Sequence, residues 1–310
     1  MINLKTQSKL EKVLSAGHLA VTSEVGPPRG SDPVPVEEKG KLVKDYVDAV
    51  NVTDNQTSVT RMCSLAACIR LKLIGLEPIL QMVTRDRNRI AIQSDILGAA
   101  SFDINNILCL SGDHQSFGDC AQGQNVHDID SMQLIQTARH MRDEGKFLGG
   151  GDINRPPKMF VGAAANPFAD PFEIRIPRLA NKIAAGAEFI QTQCIYNLDK
   201  FELWMKQARD RGLHENVYIL AGVTPFKSAG MAKYMKNRVP GMDVPDEVVK
   251  RMAGVPKENQ PEEGINICVE TIQRLKECEG VRGFHIMAIE WEEKVPEIVE
   301  RSGLYPRPKD

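Results

Sequence analysis

The sequence predicts an α/β protein folded as a (β/α)8 TIM barrel. Short apolar segments alternate with amphipathic helical patterns along the whole chain, as expected for parallel strands joined by helices. Several apolar segments follow a glycine that closes the preceding helical pattern, which is typical of a helix-to-strand loop. No GxGxxG motif follows the first apolar segment, so the usual mark of an open dinucleotide-binding sheet is missing.

Eight strands are predicted in chain order. They are residues 18–25, 47–53, 78–83, 106–110, 158–163, 188–193, 217–222 and 283–289. The clearest helical patterns between them cover residues 58–77, 130–146, 171–187 and 266–281. Eight such units fit one barrel domain, residues 1–310, with long irregular loops after strands four and seven, at residues 112–130 and 239–264.

The composition excludes several classes of protein. The chain has 310 residues, 42% of them hydrophobic and 26% charged, as in a globular protein with a large core. Its formal net charge of −2 gives no electrostatic reason to expect nucleic acid or an anionic membrane as a partner. No apolar run approaches the roughly 18 residues of a membrane span, and the first residues lack the apolar core of a signal peptide. We therefore expect a cytoplasmic protein.

The cysteines predict no metal site. There are seven, scattered along the chain without a CxxC pair. Cys63 and Cys68 are five residues apart, a spacing that does not share one face of a helix. We therefore expect reduced and mostly buried thiols, with neither a metal ion nor an iron–sulfur cluster bound by this chain.

Polar residues follow most of the predicted strands. In an α/β barrel the carboxyl ends of the strands hold the active site. Each polar residue alone has a structural interpretation: Glu24 as a loop carboxylate, Asp113 as a turn cap, and the three arginines of "TRDRNR" as a solvated surface. Two carboxylates, a glutamine and an arginine cluster at one rim instead predict a catalytic site.

Six segments resemble the 5,10-methylenetetrahydrofolate reductase family of flavoproteins. They are "SEVGPPRG", "VNVTDNQTSVTRMCSLA", "ILQMVTRDRNRIAIQSDILGA", "ILCLSGDH", "KIAAGAEFIQTQ" and "LAGVTPFKS", in collinear order between about residues 18 and 306. The resemblance implies a barrel that binds a flavin, FAD or FMN, at the carboxyl ends of its strands. It also implies reduction of 5,10-methylenetetrahydrofolate to 5-methyltetrahydrofolate.

The resemblance assigns two catalytic residues. Glu24 matches the acid that protonates N10 of the folate, which opens the methylene bridge and leaves an iminium at N5 that accepts hydride from the reduced flavin. This role requires a pKa raised by burial or by neighbouring negative charge. Asp113 matches a carboxylate near the pterin and the flavin ring, where it stabilises the cationic iminium.

The resemblance also implies which residues bind the ligands. Gln193 matches a glutamine that contacts the folate, and His127 and Lys182 match contacts to the ribityl-phosphate and adenine side of the cofactor. Arg85, Arg87 and Arg89 are candidates for a phosphate, with Arg85 the first choice. Residues matching the flavin lining are Thr53, Gln81, Leu110, Ser111, Gly112, Ala164 and Ala165.

One departure concerns the electron donor. Family members that use NAD(P)H directly hold the nicotinamide with a Phe and a Gln after strand seven, and a gap-free match puts Met235 and Met231 there. Methionine lacks the aromatic stacking surface, and Tyr234 would need a shifted register. The resemblance therefore implies an electron-donating partner subunit, as in multi-subunit reductases of anaerobic one-carbon metabolism.

Two alternatives stay open. One is a methyltransferase-type barrel that binds folate without flavin. The two carboxylates would suit this function, but the arginine, Thr and Gln residues of the rim would then have no ligand to bind. The other is a non-catalytic barrel subunit that holds an electron-transfer complex together.

Overall fold

Eight parallel strands close into a barrel in the computed structural model, which describes residues 4–308. Each strand pairs with the next in the chain, and the eighth pairs with the first, which confirms the predicted (β/α)8 fold. The strands are β1 (Ala20–Val25), β2 (Ala49–Val52), β3 (Pro78–Val83), β4 (Asn106–Leu110), β5 (Phe160–Ala165), β6 (Phe189–Cys194), β7 (Tyr218–Val223) and β8 (Val281–Ile286).

Helices surround the barrel and bury one face each against it. They are α1 (Lys9–Ser15), α2 (Val34–Val43), α3 (Ser64–Leu73), α4 (Arg89–Ser101), α5 (Ser131–Asp143), α6 (Arg175–Ala185), α7 (Leu198–Asp210), α8 (Ala229–Arg238), α9 (Asp246–Ala253), α10 (Gln260–Lys276) and α11 (Val295–Arg301). Gly186 ends α6 at a φ of 117°, and its N–H bonds to the carbonyls of Ile183 and Lys182. The strand β6 begins three residues later, as the glycine pattern predicts. Within residues 4–308, no helix is long and apolar enough to cross a bilayer.

Two predictions about elements are wrong. The last strand ends at Ile286 rather than at residue 289, because its pairing with β1 stops at the partners Ser23 and Ile286. The segment 239–264, expected to be irregular, contains α9 and the start of α10. Helix α9 has Asp246 and Glu247 in its first turn and Lys250 and Arg251 in its last, a charge order that favours a helix.

The barrel interior is layered. Side chains alternate between inside and outside along each strand, so every second residue points to the barrel axis. Near the amino ends of the strands the inner layer is apolar, and Phe189 fills much of it. A Cβ on Gly162 would lie 2.1 Å from the Phe189 ring, so glycine is required there. The next layer is polar and consists of Thr22, Asn51, Gln191 and His285, all buried.

Helix α1 closes the amino end of the barrel. Leu10 and Leu14 are fully buried against the apolar inner layer. The loop before α1 is held by Glu11, whose carboxylate accepts hydrogen bonds from the backbone N–H groups of Lys5, Thr6 and Gln7. The opposite end, where the strands reach their carboxyl termini, carries the polar residues predicted to form the site.

Candidate active site

Glu24 lies at the carboxyl end of β1, directly above the polar layer. Its side chain is 23% exposed, and Gln81 Nε2 donates a hydrogen bond of 3.2 Å to Oε2. Burial raises the pKa of Glu24 from its ordinary 4.5 to about 7; the bond from Gln81 opposes this rise, and the negative charge of Glu292 adds to it. A carboxyl group with this pKa holds its proton near neutral pH and can donate it to a ligand.

His285 is the nearest ionisable neighbour of Glu24 on an adjacent strand. Its Nε2 lies 3.9 Å from Glu24 Oε2, and Thr22 Oγ1 lies 2.9 Å from its Nδ1. Burial lowers the pKa of His285 from 6.5 to about 3. The sequence analysis missed this residue, although His285 follows from the alternation along β8 once Phe284 is recognised as facing outward.

Two amides form the rest of the polar layer. Asn51 Nδ2 donates to Gln191 Oε1 at 2.6 Å, and Gln191 Nε2 donates back to Asn51 Oδ1 at 3.0 Å. Gln191 Nε2 also reaches Thr22 Oγ1 at 3.1 Å. Because these groups hydrogen-bond to one another, they form a rigid polar layer beneath Glu24. Sequence reasoning missed both amides.

The loop after β2 is strained. Asn55, Thr57 and Ser58 all have positive φ, at 45°, 53° and 58°. Such φ values are costly for a residue other than glycine, above all for the β-branched Thr57. Asp113 holds this turn: its exposed carboxylate accepts from the Thr57 N–H at 3.0 Å, and its carbonyl accepts from Ser58 Oγ at 2.9 Å. The structure thus brings Asp113 onto the rim, bound to the loop after β2.

Arg85 joins three loops of the rim. Its guanidinium donates to both carboxylate oxygens of Asp86 at 2.7 Å, to Ser58 Oγ at 2.7 Å, and to the carbonyls of Asp113 and Asn55 at 3.0 and 3.2 Å. All five N–H donors of Arg85 therefore bind protein groups. Its side chain is only 3% exposed.

The two other arginines of the cluster are also ion-paired. Arg87 bonds to the fully buried Asp54 at 2.7 Å and to Asp95 at 2.9 Å. Arg89 pairs with Asp128 at 2.8 Å on the surface, at the start of α4. The sequence left open which arginine points inward, and the structure buries Arg85 and Arg87 and leaves Arg89 half-exposed.

Thr53 and the segment after β4 line the middle of the rim. Thr53 is buried, and its Oγ1 has no hydrogen-bond partner among residues 4–308. Gly112 has a φ of 86°, which favours glycine, and a Cβ there would lie 3.1 Å from Val83 Cβ. Leu110 is half-buried, and Ser111 and Gly112 are exposed.

Helix α6, the end of β5 and the loop after β4 carry further residues that the sequence predicts to bind the cofactor. Lys182 on α6 donates to the carbonyl of Ala164 at 2.5 Å, and Ala165 lies beside it, half-buried. Burial, with help from the nearby Arg178, lowers the pKa of Lys182 to about 8. His127 is exposed, and its N–H bonds to the carbonyl of Thr84 at 3.3 Å. The ammonium group of Lys182, together with Ala165 and His127, therefore lies at the carboxyl end of the barrel.

The end of β6 and helix α8 complete this end of the barrel. Gln193 is half-buried. Met235 is 5% exposed, and its Sδ accepts from the Tyr196 hydroxyl at 3.2 Å. Met231 Sδ accepts from the Lys227 N–H at 3.4 Å, whereas Tyr234 is 61% exposed. Met235 is thus buried, whereas Met231 is half-buried.

The sequence matches one family along almost its whole length. The family model described as methylenetetrahydrofolate reductase covers residues 9–303. The chain belongs to the methylenetetrahydrofolate reductase family. This confirms the resemblance found in the six sequence segments.

Individual relatives carry the same name. The chain is 28% identical over 214 residues to "Methylenetetrahydrofolate reductase 2" of Schizosaccharomyces pombe, covering 66% of this chain and 32% of the relative. It is 27% identical over 155 residues to "Methylenetetrahydrofolate reductase 2" of Saccharomyces cerevisiae, covering 47% and 25%. The chain spans less than half the length of the curated relatives it matches.

A solved structure shares the fold. It is an uncharacterized protein from Clostridium thermocellum, described as binding two copies of 5-methyl-5,6,7,8-tetrahydrofolic acid. The TM-score is 0.62 at 14% sequence identity, with 96% of this chain and all of the other covered. A likeness at this identity shows the barrel fold.

The rim fits the flavin that a methylenetetrahydrofolate reductase uses. The buried Thr53 Oγ1 lacks a partner within the described part of the chain, and a polar edge of a ligand can satisfy it. At Gly112 the missing side chain lets a ring approach the backbone. Gln81 and Lys182 add amide and ammonium donors at the ends of β3 and β5.

Proposed function

We propose that this chain reduces 5,10-methylenetetrahydrofolate to 5-methyltetrahydrofolate with a bound flavin, as its family name indicates. The observation that carries the proposal is Glu24, a carboxyl group with a pKa of about 7 at the carboxyl end of β1. Methylenetetrahydrofolate opens only when N10 is protonated, so the reaction needs an acid that keeps its proton near neutral pH. The alternating barrel and the family match both support this site.

Each residue at the rim has a part in the proposed reaction. Glu24 donates its proton to N10, and Gln81 holds the carboxyl group in place through the bond to Oε2. His285 stays uncharged beside it and does not draw the proton away. Asp113 supplies negative charge next to the cation that forms at N5. Gln193 binds the folate.

The flavin is proposed to lie across the same rim. When bound, it supplies the hydride that completes the methyl group. Arg85 contributes indirectly, because its donors hold the loops that surround the flavin and none is free for a phosphate. Residues proposed to hold the flavin are Thr53, Gln81, Leu110, Ser111, Gly112, His127, Ala164, Ala165 and Lys182.

The electrons are proposed to come from a partner subunit. A stacking residue for nicotinamide must present a flat ring to the ligand, whereas Met235 is buried and its sulfur is bonded to Tyr196. The exposed Tyr234 points away from that cluster into solvent. These features support a chain that depends on another protein for its reductant.

The test starts from the purified chain. We expect a yellow protein with flavin absorption, or a colourless one that becomes yellow when FAD or FMN is added. Anaerobic 5-methyltetrahydrofolate should bleach the flavin, and an artificial dye should restore the colour. Chromatography of the released cofactor identifies it as FAD or FMN.

A second function is a folate-binding barrel without flavin. The observation that favours it is the Clostridium thermocellum structure, which shares the fold and is described as binding 5-methyltetrahydrofolate. In that case the chain stays colourless with either flavin, yet calorimetry detects binding of 5-methyltetrahydrofolate. That pair of results would replace the reductase proposal.

A further inference from the structure

A small cavity lies beside Glu24, on the side formed by the loop after β1 and the segment after β8. Its volume is ≈ 130 Å³, and Glu24 forms part of its wall. We call it the side cavity. Ile289 and Glu290 also line it, and both are exposed, so the cavity extends from the protein surface to the carboxyl group.

Two polar atoms of the side cavity's lining residues have no partner. Gln56 Oε1 and Arg61 Nε are buried and make no hydrogen bond to any group in residues 4–308. Buried polar groups in proteins are almost always satisfied, by ordered water where no protein group is near. The volume suffices for several molecules, since a water occupies about 30 Å³ in the liquid. The side cavity is therefore a place for water.

An ion pair lines the same space. Glu292 and Lys39 both form part of the wall, and Lys39 Nζ lies 2.9 Å from Glu292 Oε1. The Glu292 side chain is 6% exposed and that of Lys39 29%. A buried carboxylate fixed by a lysine offers its second oxygen as an acceptor for water. Glu292 thus lies where it can order water between the surface and Glu24.

We propose that the side cavity is the route by which protons pass between solvent and Glu24, and that Glu292 is a positioning residue of this route. The proposal rests on the proposed function. In each reduction Glu24 loses one proton to N10 and becomes a carboxylate. One proton from solvent then moves along hydrogen-bonded water in the cavity and restores the acid, with no change in oxidation state.

The position of the cavity explains why such a route is needed. Ligands at the carboxyl end of the barrel cover Glu24 from above, and the polar and apolar layers close the barrel from below. While these ligands are bound, an acid in this position can regain its proton only from the side. The side cavity, with the exposed Ile289 and Glu290 in its wall, offers such a path.

Charged and titratable groups face Glu24 from several elements. On β8, His285 is uncharged above pH 3. On β6, Cys194 has its pKa raised to about 12 by burial, so it stays neutral. The groups that carry charge are in the side cavity: Glu292, Lys39, Arg61 and Glu290.

Two variants test the route, with one control. Gly26→Ala places a methyl group in the cavity wall, 3.6 Å from Gln56 Oε1 and 3.8 Å from Thr53 Oγ1, which are ordinary contacts. Glu292→Gln removes the charge of the positioning residue. The control is Glu293→Gln, which removes the same charge from the exposed neighbouring residue. The flavin-loaded proteins are assayed for 5-methyltetrahydrofolate oxidation by dye and for the reverse reaction, between pH 5 and 9.

We expect Gly26→Ala to lower kcat at least tenfold and added imidazole to restore it, since a small acid can replace a blocked route. Glu292→Gln should move the alkaline limb of the reduction profile to lower pH, because Glu24 loses a negative neighbour that raises its pKa. The KM for folate and the flavin content should stay within twofold of wild type, and Glu293→Gln should match wild type.

Other results overturn the route. Unchanged kcat in Gly26→Ala, or a loss that imidazole does not restore, shows that protons do not pass through the cavity. An unmoved pH limb in Glu292→Gln, or a raised KM instead, shows that Glu292 binds folate or has no role. Absence of turnover in the wild-type protein rejects the proposed function itself, and is thereby distinct from failure of the route.

Discussion

The imidazole of His285 lies 3.9 Å from the carboxyl group of Glu24 without forming an ion pair. Burial holds the pKa of the imidazole at about 3 and that of the carboxyl group at about 7. Between these values both groups are uncharged, and above pH 7 only the glutamate carries charge. Between these values Glu24 is therefore a neutral carboxyl group beside a neutral imidazole, and its proton is available to a ligand.

Glu24→Gln should abolish folate reduction while flavin binding is kept. Glutamine preserves the shape and can still accept the bond from Gln81, but it carries no ionisable proton. We expect the rate to fall by about 10²–10⁴, the usual contribution of general acid catalysis. Steady-state turnover and the flavin spectrum measure the two properties, with Glu293→Gln as the matched control. Retention of most of the turnover would falsify the role of Glu24.

The same variant should become more stable than wild type as the pH rises. The folded pKa of Glu24 lies above its ordinary 4.5, so its contribution is fully present below pH 4.5 and is lost as the pH rises through about 7. Glutamine does not titrate, and the variant should gain about 2–3 kcal/mol relative to wild type between pH 4.5 and 8.

His285 has the opposite dependence: its contribution is full above pH 6.5 and is lost as the pH falls toward 3. Urea unfolding of wild type and Glu24→Gln at pH 4.5, 6 and 8 isolates the contribution of Glu24, because both proteins contain His285. A constant difference between wild type and Glu24→Gln at all three values would mean that Glu24 titrates normally.

Asp113→Asn should raise the midpoint potential of the bound flavin and lower folate turnover. The amide oxygen still accepts from the Thr57 N–H, so the strained turn is kept and only the charge is lost. A lost negative charge makes reduced, anionic flavin easier to form and leaves the folate cation without its counter-charge. Spectroelectrochemistry measures the potential, and an unchanged or lower value would place Asp113 away from the cofactor. Asp113→Ala, which also removes the acceptor, serves as the comparison.

Arg85→Lys should destabilise the protein although the charge is kept. A lysine cannot reproduce five donors in a planar fork, so bonds to Ser58, Asn55 and Asp113 are lost. We expect a loss of about 2–3 kcal/mol in urea unfolding, together with weaker flavin binding. Arg89→Lys, in the same cluster but half-exposed, should leave the midpoint unchanged. Equal effects of the two substitutions would contradict the role of Arg85 as the residue that joins the loops.

The isolated chain should react poorly with NADH and NADPH. Artificial dyes need only an exposed flavin edge, whereas nicotinamide needs a preorganised stacking site that the buried Met235 does not supply. Anaerobic stopped-flow mixing of the oxidised, flavin-loaded protein with each nucleotide is the measurement. Bleaching at about 1–10³ s⁻¹ with either one, the range of ordinary turnover, would indicate a self-sufficient reductase.

The barrel could be predicted from the sequence because its signals are local. Alternation of short apolar strands with helices, and glycines such as Gly186 at helix ends, recur along the chain. The end of β8 was missed because its register is set by pairing with β1. Helix α9 was missed because the Pro and Gly residues around it are typical of a loop.

The site was only partly predictable. Glu24 is the last residue but one of β1, and Asp113 lies three residues after the end of β4, so the fold places both on the rim. The inward-facing Asn51, Gln191 and His285 follow from the same alternation and could have been identified. The role of Arg85 could not, because its five acceptor atoms belong to four residues in three loops whose conformations depend on one another.

Helix α1 leaves the carboxyl end of the barrel as the end where ligands can enter. Because Leu10 and Leu14 fill the amino end, we expect ligands to enter and leave at the carboxyl end. In the proposed reaction, substrate and product need the same face of Glu24 and cannot occupy it together. The product must therefore leave before the next substrate molecule can bind.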